Sequence, residues 1–444
     1  MISLRSNQKS KLQNNHFISS SIRNNFSIFL NSKQNELMQK NEKFTKMFFS
    51  QQKKNNKNKK GKKNSSIKEK LNFSQGIDLS NYDIGKVNNL LKKKEDQMII
   101  FQITPSIEFS LCKEYGLSFG KISRGKIVSA LKKLGVDYVF DTELATNFII
   151  VEEAHELLHR LKYNGIMPMF SSSCSPWVDL VQTKYPHFIP NISSTCSPHV
   201  VLSSLIKNYW AEKNHIRPEK IKTVSVMRCS LKNDQILRKQ NLLKNGLQNI
   251  DYVLTSKEFE NLFRINNIEW NSLKEINTDQ FFHHKPANKD ININMFGFCG
   301  GLASSILKTA YEIGTGKLFH PIKFKSISGF DYIHEAQIDF NGVVITSAFV
   351  KGSANIEKYL QMTENADFLH SFTEFLACEQ GCVDSDLVPF FSSSSNSFSQ
   401  KKLSSDPFGV FFLNPSLQKL YQEFLGKPRS EKSKKLLNIN YSKK

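Results

Sequence analysis

Glu374-Phe375-Leu376-Ala377-Cys378-Glu379-Gln380-Gly381-Cys382 sets two cysteines four residues apart behind a short apolar run. One helical turn would aim both at the same point. Two further cysteines stand far away in the chain. Cys174 lies in Phe170-Ser171-Ser172-Ser173-Cys174-Ser175-Pro176-Trp177, and Cys229 in Met227-Arg228-Cys229-Ser230-Leu231-Lys232. A cubane of four irons and four sulfides takes four thiolates, one per iron. By spacing alone the same set suits zinc or four small buried hydrophobes, so these alternatives stay open.

The elements around the cysteines read as α/β. Met98 to Ile103 is a short apolar run bounded by Pro105, as in a buried strand. Lys126 to Leu134 has helical spacing, Tyr138-Val139-Phe140 is a second strand, and Ala154 to Leu161 a helix. Ile166 to Phe170 is a third strand and delivers Cys174 just past its end. Thr223 to Met227 delivers Cys229 in the same way. Ligands placed just beyond strand ends suit open α/β sheets, whose sites lie outside the carboxyl ends. Pro198 to Ala211 reads as a helix with Pro near its start, and Gly300-Gly301 as a loop-to-helix junction. Asn341-Gly342 between two alternating runs, Tyr332 to Phe340 and Val343 to Val350, predicts a β-hairpin. Alternating strands and helices suggest parallel sheets.

Over nearly everything after residue 97 the chain resembles the iron-only (FeFe) hydrogenases. Their second signature, Met-Pro-Cys-x-x-Lys, matches Met227 to Lys232, and their third, Glu-x-Met-Ala-Cys-x-x-Gly-Cys, matches Glu374 to Cys382. Flanking stretches agree: Phe140-Asp141-Thr142, Tyr185-Pro186-His187-Phe188, Asp251-Tyr252-Val253-Leu254-Thr255 and Thr309-Ala310-Tyr311-Glu312. The first signature, Thr-Ser-Cys-Cys-Pro-Gly-Trp-Val, aligns without a gap from Phe170 to Trp177. Cys174 then falls on the ligand cysteine and Ser173 on its neighbour. The resemblance implies a 4Fe–4S cluster on Cys174, Cys229, Cys378 and Cys382, two lobes with mainly parallel sheets flanked by helices, and the cluster between them. It implies a helical tail, Pro415 to Gly426 and Ser430 to Leu437, wrapping the lobes as the family's small subunit does.

The resemblance also assigns roles. Ser173 stands where the family has its proton-relay cysteine, and a hydroxyl is far less acidic than a thiol of pKa about 8.5. Glu153, Glu156 and Ser193 fall on the outer relay positions, although both glutamates, read by themselves, suit a solvated helix face. Lys232, Pro105 and Ser106 match positions that face the ligands of the di-iron subcluster. Several departures crowd that pocket. Arg228 replaces a proline, His199 a glutamine and Leu376 a methionine, and Asp384-Ser385-Asp386-Leu387-Val388 stands in place of a glycine run. Glycines let a backbone approach a cofactor closely, and these residues would fill that space. The expectation is a cluster-binding relative with impaired or lost hydrogen chemistry and a structural or electron-transfer role. The alternatives are an active hydrogenase fed by ferredoxin and a metal-free scaffold. Relatives devoted to cytosolic iron–sulfur assembly share the four ligands, but their N-terminal cysteines and aromatic C-terminal ending have no counterpart here.

Charge divides the chain. Residues 1–70 hold 17 Lys and Arg against 3 acidic residues, +14 of the total +21, which leaves +7 for the rest. The first acidic residue is Glu36, and the preceding stretch is Ser-rich and basic, the make-up of an organelle transit peptide. Lys53 to Lys63 is nearly all Lys, Asn and Gly, too polar to fold; no interleaved aromatics support nucleic-acid stacking. The expected organisation is 1–75 transit peptide and basic linker, 76–395 hydrogenase-like domain and 396–444 small-subunit-like tail. The location expected is the matrix of a mitochondrion or hydrogenosome-like organelle. No run approaches the roughly 18 apolar residues of a membrane span. Residues 1–111 contain no cysteine, so electrons would arrive directly from a partner, a ferredoxin or a respiratory-complex subunit.

Overall fold

The structure, a computed structural model, describes residues 83–104, 106–118, 120–227, 246–281, 299–317, 319, 322–365, 370–379 and 414–441. Pro105, Arg228, Cys229, Lys232, Cys382 and residues 384–388 lie outside them, as do the basic N-terminal stretch and the Ser/Phe-rich stretch 390–399.

Two sheets organise the chain. The first holds β1 (Met98–Ile103), β2 (Tyr138–Asp141), β4 (Ile221–Met227) and β5 (Tyr252–Thr255) in the order β2-β1-β4-β5, and every pairing is parallel. The second holds β3 (Met169–Phe170), β6 (Lys325–Ile327), β7 (Phe330–Asp339), β8 (Val344–Lys351) and β9 (Phe372–Leu376) in the order β3-β9-β8-β7-β6. Its β3, β9 and β8 run parallel, whereas β6-β7-β8 is antiparallel. The β7–β8 hairpin turns at Asn341 (φ 55°) and Gly342 (φ 95°), the left-handed pair that an Asn-Gly turn supplies.

The helices are α1 (Asp83–Lys92), α2 (Ile107–Glu114), α3 (Arg124–Lys133), α4 (Glu143–Lys162), α5 (Ser175–Lys184), α6 (Pro198–Leu205), α7 (Ser256–Ile265), α8 (Gly301–Thr315), α9 (Ser353–Glu364), α10 (Pro415–Leu420) and α11 (Glu431–Leu437). Helix α6 runs on through a π turn, Ile206–Trp210, and α10 through another, Tyr421–Leu425. The largest core cluster joins Ile100, Phe140 and Val253 of the first sheet, Met169, Ile338 and Phe372 of the second, and apolar residues of α4, α6 and α8. These three helices therefore fill the space between the sheets. Leu417, Leu420, Tyr421, Leu425 and Leu437 of the C-terminal tail belong to the same cluster. Burying side chains of this size stabilises by about 1.5–3 kcal/mol each, so the tail is an integral part of the core.

Two expected elements change their limits. The third strand shrinks to Met169–Phe170. Pro168 has no N–H for a ladder, and Ile166 is exposed. The helix expected from Ala154 begins eleven residues earlier, at Glu143. Asp141 accepts the Glu143 N–H at 2.9 Å, which satisfies one of the orphan donors of a helix start. Helix α4 is buried on nearly every side over Ala145–Glu156, which erases the amphipathic period that would have marked its beginning.

Candidate metal centre and carboxyl row

Strands β3 and β9 are hydrogen-bonded parallel neighbours, with Phe170 opposite Thr373. Their carboxyl ends therefore emerge side by side. The chain after β3 brings Cys174, buried at the start of α5. The chain after β9 brings Ala377 and the exposed Cys378. The Ala377 N–H reaches Cys174 Sγ at 3.4 Å, so Cys174 touches the residue next to Cys378. An N–H aimed at sulfur favours thiolate and tunes a cluster bound there. Trp177 fixes this corner. Its indole N–H donates to Ser171 O at 2.8 Å, and its ring lies 4.5 Å from that of Phe375.

Among the described residues no three His, Cys, Asp or Glu side chains converge on one point; Cys229 and Cys382 are not among these residues. Cys229 follows the last residue of β4 by two positions, and Ser106 follows the last residue of β1 by three. Both strands are parallel neighbours in the first sheet. The candidate residues thus follow the carboxyl ends of strands in both sheets, the place where open α/β sheets carry their sites. Three cysteines are left over. Cys112 is buried and its thiol donates weakly to Ile122 O. Cys196 is buried too, and burial pushes its thiol up to about 12. Cys299 adjoins Gly300, whose φ of 78° and contact with the Phe349 ring leave no room for a Cβ.

Behind Cys174 runs a line of polar groups on α4. Glu153 and Glu156 are both buried, which corrects the solvated-face reading of these glutamates. Glu153 Oε1 accepts from Ser172 N at 3.4 Å and Ser172 Oγ at 3.2 Å. Its Oε2 has no partner among the described residues. Burial, then the nearby charge of Glu156, pushes Glu153 up to about 8. Ser193 Oγ donates to Glu156 at 3.2 Å and also assists Glu153, so it stands between the two. Within the 171–173 run the hydroxyl touching Glu153 is that of Ser172; Ser173 Oγ pairs with Ser171 Oγ at 3.4 Å. Ser106 Oγ lies 3.1 Å from Thr104 Oγ1.

Four participants were not foreseen. Arg160 holds Glu156 through Nη2 at 2.6 Å and reaches the carbonyls of Pro190, Asn191 and Ile192. Its spacing of four from Glu156 is a legible helix pair. Arg429, from the tail, donates to Glu156 at 2.8 Å and Ser194 Oγ at 2.9 Å, across a sequence distance that gives no local signal. Glu152 accepts from Tyr421 Oη at 2.6 Å, from Arg429 N at 3.1 Å and from the Ser433 hydroxyl. Glu374, quoted above only as part of a motif, accepts from Ala303 N at 2.9 Å at the start of α8. Burial pushes Glu374 up to about 8, against the N–H of Ala303 and aided by the charge of Glu153.

Comparison with known proteins is consistent across sequence and structure. The model of the iron-only hydrogenase large subunit, C-terminal domain, matches residues 97–385, and that of the iron hydrogenase small subunit matches 413–444. The NADP-reducing hydrogenase subunit HndD of Solidesulfovibrio fructosivorans is 28% identical over 79% of this chain and 61% of its own length, so the chain spans about three fifths of that relative. The cytosolic Fe-S cluster assembly factor narfl of Danio rerio is 26% identical over 81% of this chain and 90% of its own length. The solved FeFe hydrogenase HydA1 of Chlamydomonas reinhardtii superposes with a TM-score of 0.72 at 26% identity, covering 80% of this chain and 98% of that one. Hydrogenases and assembly factors thus stand at similar identities to the chain, so identity alone does not separate the two activities.

Proposed function

Since the chain belongs to the iron-only hydrogenase family, we propose that it holds one 4Fe–4S cluster on Cys174, Cys229, Cys378 and Cys382 and uses it in a structural or electron-transfer role, with hydrogen chemistry impaired or lost. The observation that carries this reading is the adjacency of Cys174 and Ala377-Cys378 at the ends of paired parallel strands. A bound cluster would supply one-electron transfer. The chain's own residues would fix the thiolates, exclude water from Cys174 and present Cys378 towards solvent. A ferredoxin or a respiratory-complex subunit would exchange electrons there. The basic, acid-poor N-terminal stretch supports a mitochondrion-type organelle as the site of action. Loss of hydrogen chemistry is supported by Ser173 and Arg228 in the signature segments and by Asp384 to Val388 in place of glycine. Among the described residues no helix is long and apolar enough to cross a membrane.

Anaerobic isolation with iron, sulfide and paramagnetic-resonance analysis tests the reading. About four irons and four sulfides per chain are expected, falling to background in Cys174→Ala and in Cys378→Ala. Near-zero iron in the unaltered chain favours the metal-free scaffold and rejects the cluster. A second reading, an active hydrogenase reducing protons with ferredoxin electrons, draws on the buried Glu153–Ser193–Glu156 row. Hydrogen evolution after maturation with the di-iron cofactor would establish it. Ser173→Cys alone is expected to leave evolution at background, because Arg228 and residues 384–388 remain; substantial turnover in that variant would refute the impairment.

A further inference from the structure

Arg429 has a backbone that its own side chain does not favour. Its φ is 61°, the left-handed region, which side chains other than glycine disfavour. Such an outlier persists where its surroundings over-determine it. Here the backbone N–H is spent on Glu152 and the guanidinium on Glu156 and Ser194. One tail residue thereby spans two carboxylates set four apart on α4. Ser194 is itself tied to the tail by Asn438 Nδ2 at 2.8 Å and by Ile439 N at 2.7 Å to its carbonyl. The guanidinium is 20% exposed and the carboxylate 4%, so little water screens the pair.

We propose that Arg429, delivered by the C-terminal tail, locks Glu156 as a permanent anion and thereby confines the exchangeable proton of this buried row to Glu153. The groups facing Glu156 account for this. From its own helix come Glu153, which repels it only when ionised, and Arg160, which binds it. His155 and His159 are held towards the neutral form by burial and by Arg429, so neither adds a reliable cation. From the neighbouring loop come the hydroxyls of Ser193 and Ser194 and the Ser194 N–H. From the tail comes Arg429. Glu153 faces Ser172 and Glu156, and Glu374 lies near enough to feel its charge; among the described residues no cation is paired with it. With Glu156 held as an anion, a proton on Glu153 has no outward acceptor that can itself become neutral. The tail therefore decides whether the row exchanges protons with solvent, with or without a cluster at the cysteines.

The test is infrared titration of the full chain between about pH 9 and pH 5, counting protonated buried carboxyls. Arg429→Gly keeps the N–H to Glu152, relieves the backbone and removes the cation. It is expected to gain one protonated carboxyl per chain relative to the unaltered protein, and the gain should vanish in R429G/E156Q. Arg429→Lys, which keeps a cation, should titrate like the unaltered chain. If R429G fails to fold, Arg429→Gln carries the same expectation. An unchanged titration in the folded cation-free variant overturns the proposal, and so does a gain that survives E156Q. Iron content is read in parallel, so failure of the cluster assignment and failure of the lock are separate results.

Discussion

Glu153 and Glu156 sit three residues apart on one helix, both buried, and ionise in opposite senses. Burial, with the charge of Glu156 beside it, pushes Glu153 up to about 8, and only Ser172 and Ser193 oppose the rise. Burial pushes Glu156 the same way, but Arg429 and Arg160 outweigh it and hold this carboxyl below its ordinary value. Helix type, residue type and depth are shared, so they do not set the charge. Among the described residues, what sets it is the arrival of two guanidiniums at the Glu156 end. A buried carboxyl without a cation takes a proton, and one with two cations becomes an anchor.

The sharpest way to break this contrast is Glu156→Gln. It leaves Arg160 and Arg429 without their anion, and removing one partner of a buried pair costs about 3–5 kcal/mol. Urea unfolding near pH 7 should show that loss. The double variant R429G/E156Q should lose less than the two single variants summed, because the pair is coupled. A loss under about 1 kcal/mol in E156Q would place the pair among solvent-screened surface bridges and remove the distinction between the two ends.

Much of the inner end was legible in the sequence, and much of the outer end was not. Short apolar runs before Ser-rich or Cys-bearing segments mark β1, β3 and β4, since strands buried on both faces read as continuous hydrophobic stretches. Asn341-Gly342 fixes its hairpin through turn chemistry alone. Glu153 and Glu156 were singled out by motif position, yet their burial was hidden. A helix covered on all sides has no polar face for a charge to mark, so its glutamates look like surface residues. Arg429 and Glu152 are joined across 277 residues, and no local pattern encodes a contact of that range. The Glu156–Arg160 pair was within reach, because four-residue spacing is read directly on a helix.

Glu152 supplies the next contrast. Like Glu156 it binds the tail, but with hydroxyls and a backbone N–H in place of guanidiniums. Burial raises it, against the bonds from Ser433 and Tyr421. Glu152→Leu leaves three donors of the tail without their acceptor. The expected loss is about 2–3 kcal/mol, roughly 1 kcal/mol per bond left unmade. Because α10 and α11 share the main core, the loss should appear as one cooperative urea transition at lower midpoint. An early, separate transition of the tail would show that it docks independently of α4.

The smallest effect is the most specific to Glu153. Its folded value of about 8 stands above the ordinary 4.5, so between these limits the native chain holds a proton that the unfolded chain has released. Stability from this group is therefore fully present below about pH 4.5 and is lost as pH rises through about 8. The loss is bounded by about 1.4 kcal/mol per pH unit, and Glu374 shares it, since burial pushes that carboxyl up to about 8 as well. Glu153→Gln replaces the protonated acid with a neutral isostere and removes one of the two contributions. The variant should match the unaltered chain near pH 5 and gain on it by about 1 kcal/mol between pH 6 and 7. Glu156, whose value is lowered, has the reverse sign, its stabilisation being lost as pH falls through its folded value. Parallel stability curves for E153Q and the unaltered chain would mean that Glu153 is ionised in the fold, and the two ends of the row would then be alike.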